Sequence, residues 1–275
     1  MASPVLYETH MHTPLCGHAI GEPEEYAAVA KARGLKGIII TCHNPIPGWG
    51  KETRMRLDQF PVYQAMTERA RRAWEGQVDV RLGLECDYAP ELERWLKEQL
   101  QKTKFHHVLG SIHAQVPEYM RAYFRNDWFE YQKVYFDHLA RSAESGFFDT
   151  LAHPDLIKNF APEEWQLERI ERFILNALDR IAATKVSMEL NTSGLNKAVA
   201  EMNPGPWMLK EMRRRDISVV VGADAHQPSR VAAEYEEAFL LLEEAGYDTI
   251  CFYLDRQRQE VTIAQARETL QPVSA

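Results

Sequence analysis

Apolar residues along this chain fall in short continuous runs rather than in strict alternation. The runs cover residues 5–10, 37–43, 80–85, 107–113, 148–153, 186–191 and 217–224. They are rich in Val, Ile and Leu and have the length of strands buried on both faces. Amphipathic segments lie between them. Residues 23–33, 61–75 and 131–145 each run up to a glycine suited to a helix C′ position, and residues 162–183 and 206–215 each open on a proline. Strand followed by helix therefore repeats about seven times. No Gly/Ser linker, charge block or internal repeat interrupts the series, so the pattern predicts one domain over residues 1–275. Alternating strand and helix imply an α/β fold with a parallel sheet and right-handed crossovers, either open or closed into a barrel. Residues 248–254 predict one more strand, with no catalytic-looking residue at its end.

The polar residues that close these runs carry the chemistry. The first run ends Glu8-Thr9-His10-Met11-His12, the second Thr41-Cys42-His43, the third Leu84-Glu85, the fourth Ser111-Ile112-His113, the fifth Ala152-His153, and the seventh Gly222-Ala223-Asp224-Ala225-His226. Parallel α/β sheets and barrels place their sites at the C-terminal ends of the strands. In His10-x-His12 and Asp224-x-His226 a spacing of two puts both side chains on one face of an extended backbone. One histidine at a strand end is ordinarily a packed or surface residue. Imidazoles at five separate strand ends are not, because unpaired polar groups are costly there. Nitrogen and carboxylate donors suit Zn, Fe, Mn or Co, with no thiolate cage to select zinc. His106, His107 and His138 fit structural roles: the first two open a strand and the third sits within an amphipathic helix.

Charge and cysteine usage narrow the partners. The chain has 32 Lys plus Arg against 40 Asp plus Glu and a formal net charge of −8, which disfavours an extended polyanion such as duplex nucleic acid. Its four cysteines are spread out without a CxxC, which excludes a disulfide framework and fits reduced thiols in the cytoplasm. No secretory signal and no apolar run of membrane-spanning length is present, so no membrane partner is expected. A homo-oligomer is compatible with the sequence. Cys16, Cys42 and Cys86 each lie within two residues of a candidate ligand. Packing behind the site is the expectation for them, with thiolate ligation or redox inhibition as the alternative.

Tyr7-Glu8-Thr9-His10-Met11-His12-Thr13, Thr41-Cys42-His43, Gly83-Leu84-Glu85, Gly110-Ser111-Ile112-His113, Leu151-Ala152-His153-Pro154-Asp155 and Gly222-Ala223-Asp224-Ala225-His226 resemble, in order and spacing, the motifs of the polymerase and histidinol phosphatase (PHP) superfamily. His153-Pro154-Asp155-Leu156-Ile157-Lys158 and Glu189-Leu190-Asn191-Thr192-Ser193-Gly194-Leu195 look most like its monofunctional histidinol-phosphate phosphatases. The resemblance implies a distorted (β/α)7 TIM-like barrel and three divalent metal ions. It also implies hydrolysis of L-histidinol phosphate, a small-molecule phosphate monoester of histidine biosynthesis. It places His10, His12, Glu85 and Asp224 on one ion, Glu85, His113 and His153 on a second, and His18, His43 and His226 on a third. Glu85 suits a bridge, since one carboxylate can give an oxygen to each of two cations. Hydroxide formed between two cations would attack phosphorus in line, and Asp155, His43 or a metal-bound water would protonate the leaving alkoxide. Lys158, Asn191, Lys197 and Arg230 follow the active-end motifs and are candidate substrate contacts, with Arg54 and Arg56 as alternative phosphate donors. Family members commonly read Gly-Leu-Arg-Lys where this chain has Gly194-Leu195-Asn196-Lys197. Nuclease or nucleotide phosphoesterase activity and protein-tyrosine phosphatase activity also occur in the superfamily. A non-catalytic metal-stabilised module ranks last, because all nine ligand positions are filled.

Overall fold

The computed structural model describes residues 3–272. Seven strands form a parallel sheet in sequence order: β1 Tyr7–Glu8, β2 Gly37–Ile40, β3 Asp79–Asp87, β4 His107–Ser111, β5 Thr150–Leu151, β6 Ser187–Asn191 and β7 Val219–Gly222. The sheet curls until its edges meet. Met11 and Ala225 form a parallel bridge, with His12 N donating to Ala225 O at 2.9 Å and Ala225 N to His10 O at 3.0 Å. The result is a distorted, nearly closed seven-stranded TIM-like barrel, as the resemblance implies, where the run pattern alone left the sheet open or closed.

Helices cover the outside: α1 Pro23–Ala32, α2 Phe60–Ala73, α3 Glu93–Leu100, α4 Pro117–Tyr123, α5 Trp128–Glu144, α6 Leu167–Thr184, α7 Pro206–Arg213, α8 Tyr235–Ala245 and α9 Ile263–Thr269. The stripe on α6 shows why they dock. Ile170, Ile174, Leu178 and Ile181 recur at helical spacing and are buried, each contributing about 1.5–3 kcal/mol of transfer free energy. Where the sequence pattern starts a helix at Pro162, the chain instead makes a 3-10 turn over Pro162–Glu164. The α-helix begins at Leu167, after an extended Gln166.

The expected strand at residues 248–254 does not join the barrel wall. It is β8 Thr249–Leu254, which pairs antiparallel with β9 Gln257–Thr262. This hairpin plugs the N-terminal mouth. Phe252 stacks on Tyr7 with ring centroids 4.7 Å apart, Tyr253 stacks on His107, and Ser187 meets the Tyr253 hydroxyl at 2.8 Å. Those partners open β1, β4 and β6. With that end filled, the accessible mouth is the C-terminal one. Among the described residues, no helix is long and apolar enough to cross a membrane.

Candidate metal centre

All nine sequence-predicted ligands lie at the C-terminal mouth, mostly just beyond the last hydrogen-bonded residue of their strands. Glu85 is the hub and is fully buried. Its Oε2 lies 2.7 Å from His43 Nδ1, 3.5 Å from His10 Nε2 and 3.6 Å from His12 Nε2, and its Oε1 lies 3.0 Å from His153 Nε2 and 3.4 Å from His113 Nε2. Asp224 Oδ1 sits 3.0 Å from His12 Nε2 and 3.6 Å from His10 Nε2. Four donors held by one zinc-like ion at ~2.05 Å lie about 3.3 Å apart, so these spacings fit shared coordination.

The hydrogen-bond accounting points the same way. His10 Nε2, His43 Nδ1 and Glu85 Oε2 are buried yet have no hydrogen-bond partner, an arrangement that costs free energy unless something else fills it. At the rim, His18 Nδ1 and His226 Nδ1 face the carbonyls of Cys16 and Asp224, both at 2.9 Å. A carbonyl only accepts, so each ring carries its proton on Nδ1. The two Nε2 lone pairs then face each other at 2.9 Å, which a cation between or beside them would relieve. His18, His43 and His226 offer ligand atoms within 4.8 Å of one another.

Outer partners fix the inner rings, and sequence reasoning missed them. His10 Nδ1 bonds Glu189 at 2.7 Å and His113 Nδ1 bonds Asp87, the carboxylate–histidine pairing that orients metal-ligating imidazoles. Asp87 is in turn clamped by Arg54 through two hydrogen bonds of 2.6 and 2.8 Å. Glu189 also accepts from the backbone of His153 at 2.8 Å and from Asn191 at 3.0 Å. The available signal was a charged residue inside a wholly buried strand, true of Glu189 in β6. Gly222 makes room for this carboxylate: a Cβ there would fall 2.1 Å from Glu189 Oε1 and 2.8 Å from His10 Cβ.

The Asp224/His226 pair reaches the mouth differently from the extended geometry expected. Asp224 has φ +50° and His153 φ +30°, sparsely populated backbone that their surroundings hold in place. His12 is pushed up to about 9: burial opposes its charge, and the hydrogen bond to Asp224 with the Cys16 and Glu85 contacts overcomes it. His10 is likewise raised against burial by Glu189, Asp224 and Glu85. Burial and the Arg54 charge hold His43 well below the ordinary range, and burial with His12 holds His226 at about 4. Burial opposes ionisation of Glu85 and Asp224, yet the surrounding imidazoles hold both well below the usual carboxylate range.

The expected substrate contacts divide. Arg54 and Lys197 line a cavity of about 540 Å³ bordered by His18, His43, His113, His153, Asp224 and His226. Lys158, Asp155 and Asn191 are turned into the wall. Lys158 is fully buried, its Nζ bonded to Asp155 at 2.9 Å, Glu201 at 2.8 Å and the Met202 carbonyl at 3.1 Å. Asp155 also accepts from Asn203 at 2.6 Å and from Gly205 N at 2.8 Å, so both its oxygens are engaged within the wall. Asn191 is spent on Glu189 and Ser193. Arg230 pairs with Glu234, and Arg56 with Asp58 on the surface. His107 bonds Thr150, and His138 bonds Tyr119.

The class so defined is a parallel barrel whose C-terminal mouth gathers imidazoles and carboxylates into candidate metal-ligand groups. Residues 8–193 match the PHP domain, and the chain belongs to that family. It is 36% identical over 254 residues to a probable histidinol-phosphatase of Deinococcus radiodurans, covering 90% of this chain and 96% of the relative. The histidinol-phosphatase of Bacillus subtilis is 28% identical over 276 residues, covering 84% and 97%. In fold it resembles the crystal structure of histidinol phosphate phosphatase from Lactococcus lactis complexed with Zn, L-histidinol and phosphate. The TM-score is 0.78 at 16% identity, covering 92% of this chain and 98% of that one.

Proposed function

We propose that this chain is a metal-dependent phosphomonoesterase that hydrolyses L-histidinol phosphate to L-histidinol and phosphate. The observation that carries the reading is the set of buried, unpartnered donor atoms converging on one mouth. The names of relatives aligned over nearly their whole length supply the substrate. His10, His12, Glu85 and Asp224 hold one divalent cation, Glu85, His113 and His153 a second, and His18, His43 and His226 a third. Zinc, iron and manganese all suit these donors. Cations so held supply an activated water for in-line attack and offset charge on the phosphoryl oxygens.

The chain's own residues do the positioning. Glu85 presents Oε2 to one group of imidazoles and Oε1 to another, with Ser111 Oγ donating to Oε1 at 2.5 Å, which suits a bridge. Lys197 Nζ, held 2.9 Å from Ser193 Oγ and 4.0 Å from Asp224, stands ready to receive a phosphate oxygen. Arg54 adds positive potential at the same rim while its donors stay committed to Asp87 and Thr53. Val116, Pro117, Leu156 and Phe160 give the cavity an apolar wall for the substrate's ring.

The test is phosphate release from histidinol phosphate, phosphotyrosine and a deoxynucleotide side by side, with elemental analysis of anaerobically purified protein. Preferred turnover of histidinol phosphate is expected, and Glu85→Ala should abolish it and reduce bound metal. Full activity in Glu85→Ala, or preference for another substrate, would refute the reading.

A further inference from the structure

We propose that Ser193 is a positioning residue that holds the Lys197 ammonium at the cavity and keeps it from closing onto Asp224. The inference rests on the phosphatase reading above, in which Lys197 receives a phosphate oxygen and Asp224 holds a cation. It extends that reading to a side chain that does not itself line the cavity.

The turn that carries Ser193 and leads to Lys197 is firmly built. β6 ends at Asn191, and the chain continues as a 3-10 turn over Thr192–Asn196. Asn203 fixes the base of the turn: Asn191 N donates to Asn203 O at 2.7 Å and Asn203 N to Asn191 O at 3.0 Å. The Asn191 side-chain oxygen caps the turn by accepting from Ser193 N at 3.0 Å, and Lys197 N closes it on Gly194 O at 3.0 Å. Gly194 lets the turn lie against residues 201–203, since a Cβ there would fall 2.3 Å from Glu201 O and 2.6 Å from Asn203 Oδ1. None of these bonds uses the Ser193 hydroxyl.

That hydroxyl sits where three groups meet. Ser193 Oγ is 2.7 Å from Asn191 Oδ1, 3.2 Å from Asp224 Oδ2 and 2.9 Å from Lys197 Nζ. A hydroxyl has one hydrogen and two lone pairs, so it shares its hydrogen with the two oxygens and receives an N–H of the ammonium. Among the described residues Lys197 Nζ makes no other hydrogen bond, which leaves two of its three N–H groups for the cavity that Lys197 lines. Asp224 is divided in a similar way. Its Oδ1 faces His12 and His10, the side given to a cation, and its Oδ2 faces Ser193.

Removing the hydroxyl upsets this arrangement. Lys197 Nζ already stands 4.0 Å from Asp224 Oδ2. Without its Ser193 acceptor, a short movement gives the ammonium a direct, charge-assisted bond to that oxygen. Lys197 is then spent within the protein, as Arg230 is on Glu234, and phosphate loses its partner.

The test compares native protein, Ser193→Ala, Lys197→Met and the double variant, each supplied with zinc. Inorganic phosphate is titrated by calorimetry, and turnover of histidinol phosphate gives KM and kcat. Ser193→Ala should weaken phosphate binding and raise KM roughly 10-fold, with a smaller change in kcat and native zinc content. The double variant should bind phosphate no more weakly than Lys197→Met alone, because Ser193 acts through that ammonium. Crystals of Ser193→Ala should show Lys197 Nζ bonded directly to Asp224 Oδ2. Native phosphate affinity in Ser193→Ala, or losses that add in the double variant, would overturn the positioning role alone. The same non-additive loss of phosphate binding in a protein that leaves histidinol phosphate intact would support the role of Ser193 and overturn the substrate reading. Ser193→Gly makes the same deletion should Ser193→Ala not fold.

Discussion

Glu189→Gln removes no metal donor and changes one atom, yet its surroundings make it a severe substitution. Glu189 faces three donors: His10 Nδ1 at 2.7 Å, His153 N at 2.8 Å and Asn191 Nδ2 at 3.0 Å. A carboxylate accepts all three, but an amide has one oxygen. With that oxygen turned to His153 and Asn191, the new NH2 faces His10 Nδ1, which must become an acceptor. The ring proton then moves to Nε2, the atom 3.5 Å from Glu85 Oε2 and 3.6 Å from Asp224 Oδ1. A protonated Nε2 cannot bind a cation. The opposite amide orientation keeps the His10 tautomer but leaves two buried donors facing an NH2, at ~1–3 kcal/mol each, so the tautomer switch wins. Loss of an outer partner costs 10–100-fold in metal affinity as a rule, and inversion of the tautomer puts the expectation near ~100-fold, or about 2.8 kcal/mol. Chelator competition for zinc on metal-free protein, with circular dichroism as the check on folding, measures it. A folded Glu189→Gln with native zinc affinity would refute the role assigned to His10 Nδ1.

Lys158→Met should lower stability by about 3 kcal/mol, because it strips the cation from buried Asp155. Lys197→Met should leave the melting temperature in place and raise KM by roughly 10-fold or more, so a KM effect confined to Lys158→Met would reverse the two roles. Gly222→Ala pushes a methyl into Glu189 and His10, and should cost about 1–3 kcal/mol in thermal unfolding together with bound metal. Acidity should act in opposite senses on the empty and loaded protein. His12 has a folded pKa of about 9 against an ordinary 6.5. Its contribution to metal-free stability is therefore complete below pH 6.5 and lost as pH rises through 9. Cation binding must displace that proton, so zinc affinity should climb over the same interval. Flat zinc affinity between pH 6.5 and 9 would contradict a protonated His12.

The parts of this structure legible in the sequence are those set by local pattern. Buried parallel strands need continuous apolar runs, and a histidine closing such a run, as His43 and His153 do, is conspicuous because packing alone would not choose it. Tertiary partners are less legible. Lys158 and Arg230 follow active-end motifs as loop cations, and only the fold reveals that Glu201 and Glu234 claim them. The hairpin made by β8 and β9 reads as one more strand because periodicity records burial and not the end of the barrel that is being filled. Asp224 reads as extended because nothing in the local pattern signals its φ of +50°. Asp87 and Glu189 were the readable omissions: each is a carboxylate within or ending a buried strand, where a lone charge requires a partner.

The barrel closes at the residues that separate its ligands. Met11 lies between His10 and His12, Ala225 between Asp224 and His226, and their bridge joins the first strand to the last. Two side-chain oxygens of Glu8 reinforce the seam. Oε1 accepts from Thr9 N and His10 N at 3.0 Å and from Ala223 N at 3.1 Å, and Oε2 accepts from Ala232 N at 3.0 Å. Burial raises the Glu8 carboxyl while those backbone donors oppose the rise. One contact therefore closes the sheet and sets the distance between the two ligand pairs. Opening the seam would pull His10 and His12 away from Asp224 and His226. A cation held across it stabilises the closed form by mass action, by about 2.7 kcal/mol at a hundredfold excess over Kd. Barrel closure and metal affinity are then one equilibrium, so substitutions at Glu8, which touches none of the nine ligand side chains, act on the metal through the seam.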